Sequence, residues 1–469
     1  MVASTPVPPG LRVVADPRLH RRDGGRLLLG GAPMRAVKLT GTGAEMVAEW
    51  LAGEPIGEGD GERRLARRLL SGGLVHPTPR PADRPDVTVV VPVLADEAGL
   101  GRLIAGLGDL PIVAVDDGSV PAVAVDRSDA TVLRHDSTQG PAAARMTGLA
   151  AVDTGLVLFV DADVEIDVAA VEALAGHFVD PDVVAVAPRV VSAPGPSLRE
   201  RYEEDCSPLD LGPSPSPVGP GRVVSYLPSA ALLARTEIVR AAGGFEPSLR
   251  FGEDVDLIWR LAADDRVIRY DPSVIVHHRP RSTWRAWARQ RVGYGSSAAP
   301  LADRHGEAMA PVRVPIPVAV GVGAALGAPA PAVPLIAAAS AAEVHRRVVA
   351  AFGPDAPVDI TRGVLGHGAN SIVTALLRAW WPFTLLAATV SRRVRRRVGA
   401  SLLAAVVVDY ARSGRRVGLP AGIALRLADH LAYGVGVWRG VVAGSSATAL
   451  RPVIGTRRRA APAATVIEP

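Results

Sequence analysis

Five short runs between residues 86 and 190 are almost wholly apolar and rich in β-branched side chains: Val87–Val91, Ile112–Val115, Thr131–Arg134, Leu156–Val160 and Val183–Ala187. Strands buried on both faces read this way, and stretches of helical period lie between them. The alternation predicts a doubly wound α/β domain with a mostly parallel sheet over about 86–305. In such sheets ligands bind outside the carboxyl ends of the strands, which directs the search for chemistry.

The first 80 or so residues follow another pattern. Leu11–Val14 and Arg26–Leu29 read as strands, with Asp23-Gly24-Gly25 as turn chemistry between them. Thr42 is expected to cap a helix through Trp50, with Met46, Val47 and Trp50 on one face. A second amphipathic helix is expected over Glu62–Leu70, ended by Gly72-Gly73. Leu65–Val75 resembles the last helix and wing of a small winged-helix module, and Pro77–Pro85 forms a proline-rich linker.

Beyond about residue 306 the pattern becomes broadly hydrophobic. Val314–Ala342 carries no charge and exceeds the roughly 20 residues needed to cross a bilayer, but Pro315, Pro317, Pro329, Pro331 and Pro334 interrupt it. Val364–Val390 is a second such stretch, broken by His367 and Arg378. The expectation is a helical region that crosses a membrane, lies on one, or packs as soluble helices.

Composition refines this outline. Two arginine runs, Arg392–Arg397 and Arg457–Arg459, adjoin hydrophobic segments although the formal charge is only +5. Solvated surface and attraction to anionic lipid both account for them. Nucleic acid is excluded as a partner by the absence of a motif and of aromatic interleaving. Cys206 is the single cysteine, so no intrachain disulfide forms, which suits a reducing cytoplasm. No basic segment followed by an apolar stretch opens the chain, so the expected place is the cytoplasm, at the inner face of the membrane.

Five segments carry candidate chemistry. Val113–Asp116 runs into Asp117-Gly118-Ser119, and Leu158–Val160 runs into Asp161-Ala162-Asp163, so each apolar strand delivers carboxylates to the sheet edge. If the chain stays extended, Asp161 and Asp163 share a face and can present oxygens to Mg²⁺ or Mn²⁺. Gly140-Pro141 opens a helix bearing Arg145, an arrangement that favours anions. Glu253 and Asp254 begin another helix, whose dipole keeps a carboxylate base ionised. His277, at the end of a further apolar run, is a candidate third metal ligand. Each segment also has a plainer reading as a turn, a cap or dipole-complementing acids.

In this order the segments resemble the inverting family-2 glycosyltransferases of GT-A fold. The resemblance rests on Val91-Pro92-Val93, Asp116–Ser119, Gly140-x-x-x-Ala144-Arg145, Asp161-x-Asp163, Gly243–Glu246 and Glu253-Asp254, over about 86–295. It implies that Asp116 and Asp117 hold uridine, that Arg145 lies near the nucleotide, and that Asp161 and Asp163 engage ribose and the metal on the diphosphate. Asp254 is implied as the catalytic base, with Glu253 beside it. The Gln-x-x-Arg-Trp signature of chain-elongating members is matched only loosely, by Trp287–Arg291. With its N-terminal module, similar to peptide-binding winged-helix chaperones, and its hydrophobic C-terminal region, the whole chain resembles the mycofactocin-system glycosyltransferases of actinobacteria. That implies transfer of glucose from UDP-glucose onto mycofactocin or its peptide-derived precursor. A cell-wall enzyme with a lipid-linked acceptor fits the hydrophobic region equally. A non-catalytic scaffold would not need the acids at Asp161, Asp163 and Asp254.

Overall fold

The computed structural model describes residues 5–125, 127, 130–263, 266–353, 357–444, 446–455 and 465–467. The chain forms two compact units: Met1–Ala193 with Ser207–Arg279 and Ala464–Pro469, and Pro194–Cys206 with Pro280–Ala463.

The first unit opens with β1 (Val13–Ala15), β2 (His20–Arg22), β3 (Leu27–Gly30), β4 (Arg35–Leu39), α1 (Gly41–Leu51), α2 (Asp60–Gly72) and β5 (Val75–Pro77). Strands β2, β3 and β4 form an antiparallel sheet, and β1 pairs with β5. The α1 cap is Thr40 rather than the expected Thr42: its hydroxyl accepts the Gly43 amide at 3.1 Å, one turn before the first buried apolar position. Gly73 ends α2 at φ 69°, a left-handed cap that suits glycine. Val47, Trp50, Leu65, Leu69 and Leu70 form the core of this module. Arg67 on α2 is buried and bonds both oxygens of Asp180 at 2.7 and 2.6 Å. Arg222 donates to the carbonyls of Ala32 and Ser71, and Arg269 to that of Leu70. The N-terminal module is thereby clamped within the first unit.

The α/β portion follows with β6 (Val87–Val93), α3 (Glu97–Gly106), β7 (Ile112–Asp116), β8 (Thr131–Arg134), α4 (Pro141–Ala150), β9 (Leu156–Val160), β10 (Val164–Glu165), α5 (Val168–Ala175) and β11 (Val183–Ser192). Helix α6 (Leu198–Cys206) belongs to the second unit. Then come β12 (Ser216–Pro217), β13 (Ala231–Arg235), α7 (Thr236–Ala241), α8 (Glu253–Ala263) and β14 (Val267–His278). The sheet order is β10-β14-β11-β13-β9-β6-β7-β8, with β12 beside β14. Strands β8, β7, β6 and β9 run parallel, β13 is antiparallel to β9 and β11, and β11 runs parallel to β14. The result is a GT-A-type mixed α/β fold with a mostly parallel central sheet. Strand β8 departs from expectation: it lies at the sheet edge and is largely exposed, because among the described residues no strand pairs with its outer side.

The second unit is helical: α9 (Trp284–Ser296), α10 (Ala298–His305), β15 (Arg313–Val314), α11 (Ile316–Gly327), α12 (Ala332–Phe352), α13 (Val358–Arg378), α14 (Trp381–Val390), α15 (Arg392–Arg412), α16 (Leu419–Gly444) and β16 (Val453–Ile454). The uncharged stretch 314–342 is divided between α11 and α12, and the break falls at Pro329 and Pro331. Among the described residues no single helix is long and apolar enough to cross a membrane; α13 and α14 pass that test only together and are bent by 87°. The run Arg457–Arg459 lies outside the described residues. The last element, β17 (Thr465–Ile467), adds parallel to β4 in the first unit.

Candidate active site

The acids singled out in the sequence stand at the carboxyl ends of β7 and β9 and at the start of α8. Asp116 closes β7 and is buried. Its oxygens accept the amides of Ser119 at 2.8 Å and Val123 at 3.1 Å, and Arg134 pairs with the same carboxylate. Burial alone would raise its pKa; the Ser119 and Val123 hydrogen bonds and the Arg134 charge hold it below the usual range. Asp117 accepts the amides of Gln139 at 2.9 Å and Gly140 at 2.8 Å, and its Oδ1 meets His135 Nδ1 at 2.7 Å. Both carboxylates, expected to face uridine, are engaged inside the chain. Asp117 organises the loop where Gly140, at φ 100°, turns into Pro141 at the start of α4.

Arg145, expected beside the nucleotide, points inward with a side chain only 3% exposed. Its Nη2 lies 2.6 Å from Asp161 and its Nη1 2.9 Å from Glu253. The guanidinium also sits over the Phe245 ring at 5.4 Å, and Phe245 packs edge-on against Phe159 of β9. Burial would discharge this arginine, but the charges of Asp161 and Glu253 overcome it and raise its pKa. One cation therefore binds the end of β9 to the first turn of α8.

Glu253 and Asp254 occupy different surroundings although they are adjacent. Glu253 is buried, and desolvation with the neighbouring Asp254 charge pushes its pKa up to about 7 against the pull of Arg145. Asp254 is half-buried; its Oδ1 accepts the Val255 amide at 2.8 Å and its Oδ2 the Ser229 amide at 3.4 Å. Its pKa is also raised, first by burial and further by Asp161, while those two amides and Arg145 oppose the change. Asp254 is thus a carboxylate whose proton affinity exceeds that of a solvated one.

The segment Asp161–Asp163 is a tight turn rather than an extended strand end, closed by the Val164 amide on the Asp161 carbonyl at 3.0 Å. The two side chains take different partners: Asp161 reaches Arg145, whereas Asp163 Oδ2 lies 3.3 Å from His278 Nε2. His277, the ligand candidate, is exposed. Alternation along β14 leaves it so and turns the next residue, buried His278, toward Asp163. The antiparallel register β10–β14 pairs Val164 with His278, which fixes this meeting. Among the described residues no group of three or more His, Cys, Asp or Glu gathers as a metal site. A carboxylate beside an imidazole nevertheless suits Mn²⁺, which accepts a nitrogen ligand where Mg²⁺ prefers oxygen, and which completes its shell with phosphate and water.

Sequence reasoning missed several supports. His135 bridges Asp117 and Thr147, and Arg260, paired with Asp256 at 2.8 Å, donates to the carbonyls of Ala242 and Gly244 at the start of the Gly243–Glu246 loop. The i,i+4 spacing of Asp256 and Arg260 was the available signal. The Trp287–Arg291 segment lies in α9 of the second unit, where Trp287 Nε1 donates to Glu203 at 2.7 Å and Arg291 pairs with Glu203 and Asp429. These side chains are committed to packing there.

Residues 88–230 match the family model described as glycosyl transferase family 2. Two Mycobacterium tuberculosis proteins, from strains CDC 1551 / Oshkosh and H37Rv, each named pre-mycofactocin glycosyltransferase, are 39% identical to this chain over 478 aligned positions, covering 97% of it and 100% of each relative. Solved structures are more distant. A Pyrobaculum calidifontis mannosyltransferase in complex with GDP-Man and Mn²⁺ aligns with 71% of this chain and 88% of its own at 18% identity and TM-score 0.36. Staphylococcus aureus TarS residues 1–349 in complex with UDP align with 45% of this chain and 65% of theirs at 17% identity and TM-score 0.31. The extent and identity of the mycobacterial match, joined to a GT-A-type sheet with acids at its strand ends, settle the lineage: the chain belongs to the pre-mycofactocin glycosyltransferase family.

Proposed function

We propose that the protein is an inverting hexosyltransferase that moves glucose from UDP-glucose onto mycofactocin or its peptide-derived precursor. The observation that carries the chemistry is the position of Asp254, a half-buried residue whose carboxyl has raised proton affinity, beside the Arg145–Asp161–Glu253 network. A base works best when its pKa approaches the working pH. Asp254 takes the proton of an acceptor hydroxyl as that oxygen bonds to the anomeric carbon. The bond to the diphosphate breaks on the opposite face, its electron pair leaves with UDP, and the anomeric centre inverts without a covalent intermediate. Arg145 holds Asp161 and Glu253 in place and offsets their charge during this step. Asp163 and His278 would hold a divalent cation, Mn²⁺ in preference to Mg²⁺, which when bound supplies Lewis-acid stabilisation of the charge developing on the diphosphate.

The division of labour extends over three stretches: a peptide-binding module over 1–80, a catalytic portion over 86–305, and a region over 306–469 that keeps the enzyme in the cytoplasm at the inner face of the membrane. The test is incubation of purified full-length protein with UDP-glucose, other UDP-sugars and extracted acceptor, with products read by mass. A hexose added to the acceptor from UDP-glucose, lost in Asp254→Asn, is the expected result. An Asp254→Asn enzyme with near-normal transfer sinks the assignment of the base; addition from another donor alone replaces the sugar.

A further inference from the structure

We infer that α14 and the arginine run after it form an anchor that lies in the surface of an anionic bilayer. This deepens the membrane-face placement proposed above by naming the element and the lipid chemistry. No charged residue occurs from Ala379 to Val390, yet Phe383, Leu385, Leu386 and Val390 are 57, 58, 64 and 82% exposed. Single exposed apolar side chains are ordinary; four on one ten-residue helix form a patch that marks a contact surface.

The patch is held rigidly. On the inner side of α14, the Thr384 hydroxyl donates to the carbonyls of Leu376 and Trp380, each at 3.0 Å. The Phe383 ring packs against Trp438 of α16 with centroids 5.6 Å apart, and Arg395 of α15 donates to the Ala388 carbonyl at 3.1 Å. These contacts with the helices before and after it orient α14, so its apolar face is not a frayed end. The helix is about 15 Å long, half the hydrocarbon thickness of a bilayer, and turns 87° from α13, which suits lying in a membrane surface rather than crossing it.

Charge selects the occupant. Ser391 caps α15, whose first turns carry Arg392, Arg393, Arg395, Arg396 and Arg397, and the first four of these are exposed. No acid occurs between Ala379 and Val398. A second copy docked symmetrically on this face would bring like charges together. An anionic bilayer offers an apolar layer for Phe383 and Leu386 and negative headgroups for the arginines at once.

The test is flotation of the full-length protein with vesicles of phosphatidylcholine alone or mixed with phosphatidylglycerol, with UDP release measured in parallel without vesicles. The expected result is flotation with the anionic vesicles that weakens as salt rises. Phe383→Ser with Leu386→Asp should cut it by about tenfold or more. Arg392→Gln, Arg393→Gln, Arg395→Gln and Arg396→Gln together should abolish the preference for anionic lipid. Unchanged UDP release in both variants reports an intact fold and separates this surface from the sugar chemistry; if a variant misfolds, the salt dependence of the unmodified protein decides. Flotation equal on neutral and anionic vesicles, flotation unmoved by either variant, or a concentration-dependent dimer abolished by Leu386→Asp overturns the proposal.

Discussion

Arg145 Nη1 stands 2.9 Å from Glu253 Oε1, and the two side chains meet in the interior, 3 and 10% exposed. The pair joins α4 to α8, which are separated by over a hundred residues in sequence, and the second nitrogen of Arg145 extends the link to Asp161 after β9. Three carboxylates that would repel one another, Asp161, Glu253 and Asp254, are gathered by one cation. Their arrangement is a consequence of Arg145 as much as of their own positions.

Replacing Arg145 should therefore do more than remove a contact. Arg145→Ala leaves buried carboxylates without compensation, a change that commonly costs about 3–5 kcal/mol. Arg145→Lys keeps the charge but not the two-pronged geometry and should recover part of the loss. Chemical denaturation measures the stability. The pH–rate profile measures the rest: without the cation the basic form of Asp254 is disfavoured, so the acid limb should move to higher pH.

Glu253 makes the protein's stability pH-dependent with a definite sign. Its pKa is raised from 4.5 to about 7, so between those values the folded chain binds a proton that the unfolded chain has released. Stability from this group is full below pH 4.5 and declines as pH climbs to about 7. Glu253→Gln should flatten the decline, read as denaturation midpoints at several pH values; an unchanged slope refutes the raised pKa.

The parts of this fold legible in the sequence are those set by short-range pattern. The apolar runs at Val87–Val91, Ile112–Val115 and Leu156–Val160 are central strands because β-branched residues buried on both faces leave few alternatives. Helix starts were read less well. Thr42 and Thr40 are both plausible caps by residue type, and only the hydrogen bond to Gly43 separates them. The site was legible as a list of acids and illegible as a network. Asp116, Asp117 and Asp161 take partners from distant segments, and nothing in local spacing announces that Arg145 will face Glu253. The exchange of His278 for His277 has the same origin: in a doublet, the register against β10 decides which imidazole turns inward.

The N-terminal module should depend on Arg67. Its guanidinium bonds Asp180 through two nitrogens, with both side chains nearly inaccessible, and a third nitrogen reaches the Thr5 carbonyl at 2.8 Å. Arg67→Met leaves the buried Asp180 carboxylate without its cation and should destabilise the first unit by about 3–5 kcal/mol, whereas Asp180→Asn should cost less because Asp182, 3.2 Å from Arg67, still offsets the charge. The double replacement should cost clearly less than the sum of the two, the mark of a direct pair. Strict additivity in denaturation experiments would show that the two residues act separately.

The sharpest separation of neighbours is between His277 and His278. If a divalent cation is held by Asp163 and an imidazole, only His278 can share it, because its Nε2 is 3.3 Å from Asp163 while His277 is exposed on the other side of β14. His278→Ala and Asp163→Asn should each raise the Mn²⁺ concentration needed for half-maximal transfer by about tenfold or more, as loss of a ligand or its support does elsewhere. His277→Ala should leave that midpoint in place. Titration of Mn²⁺ into chelator-treated enzyme, followed by UDP release, distinguishes the three. Equal shifts for both histidines would place the cation elsewhere, and full activity in excess chelator would remove it from the reaction.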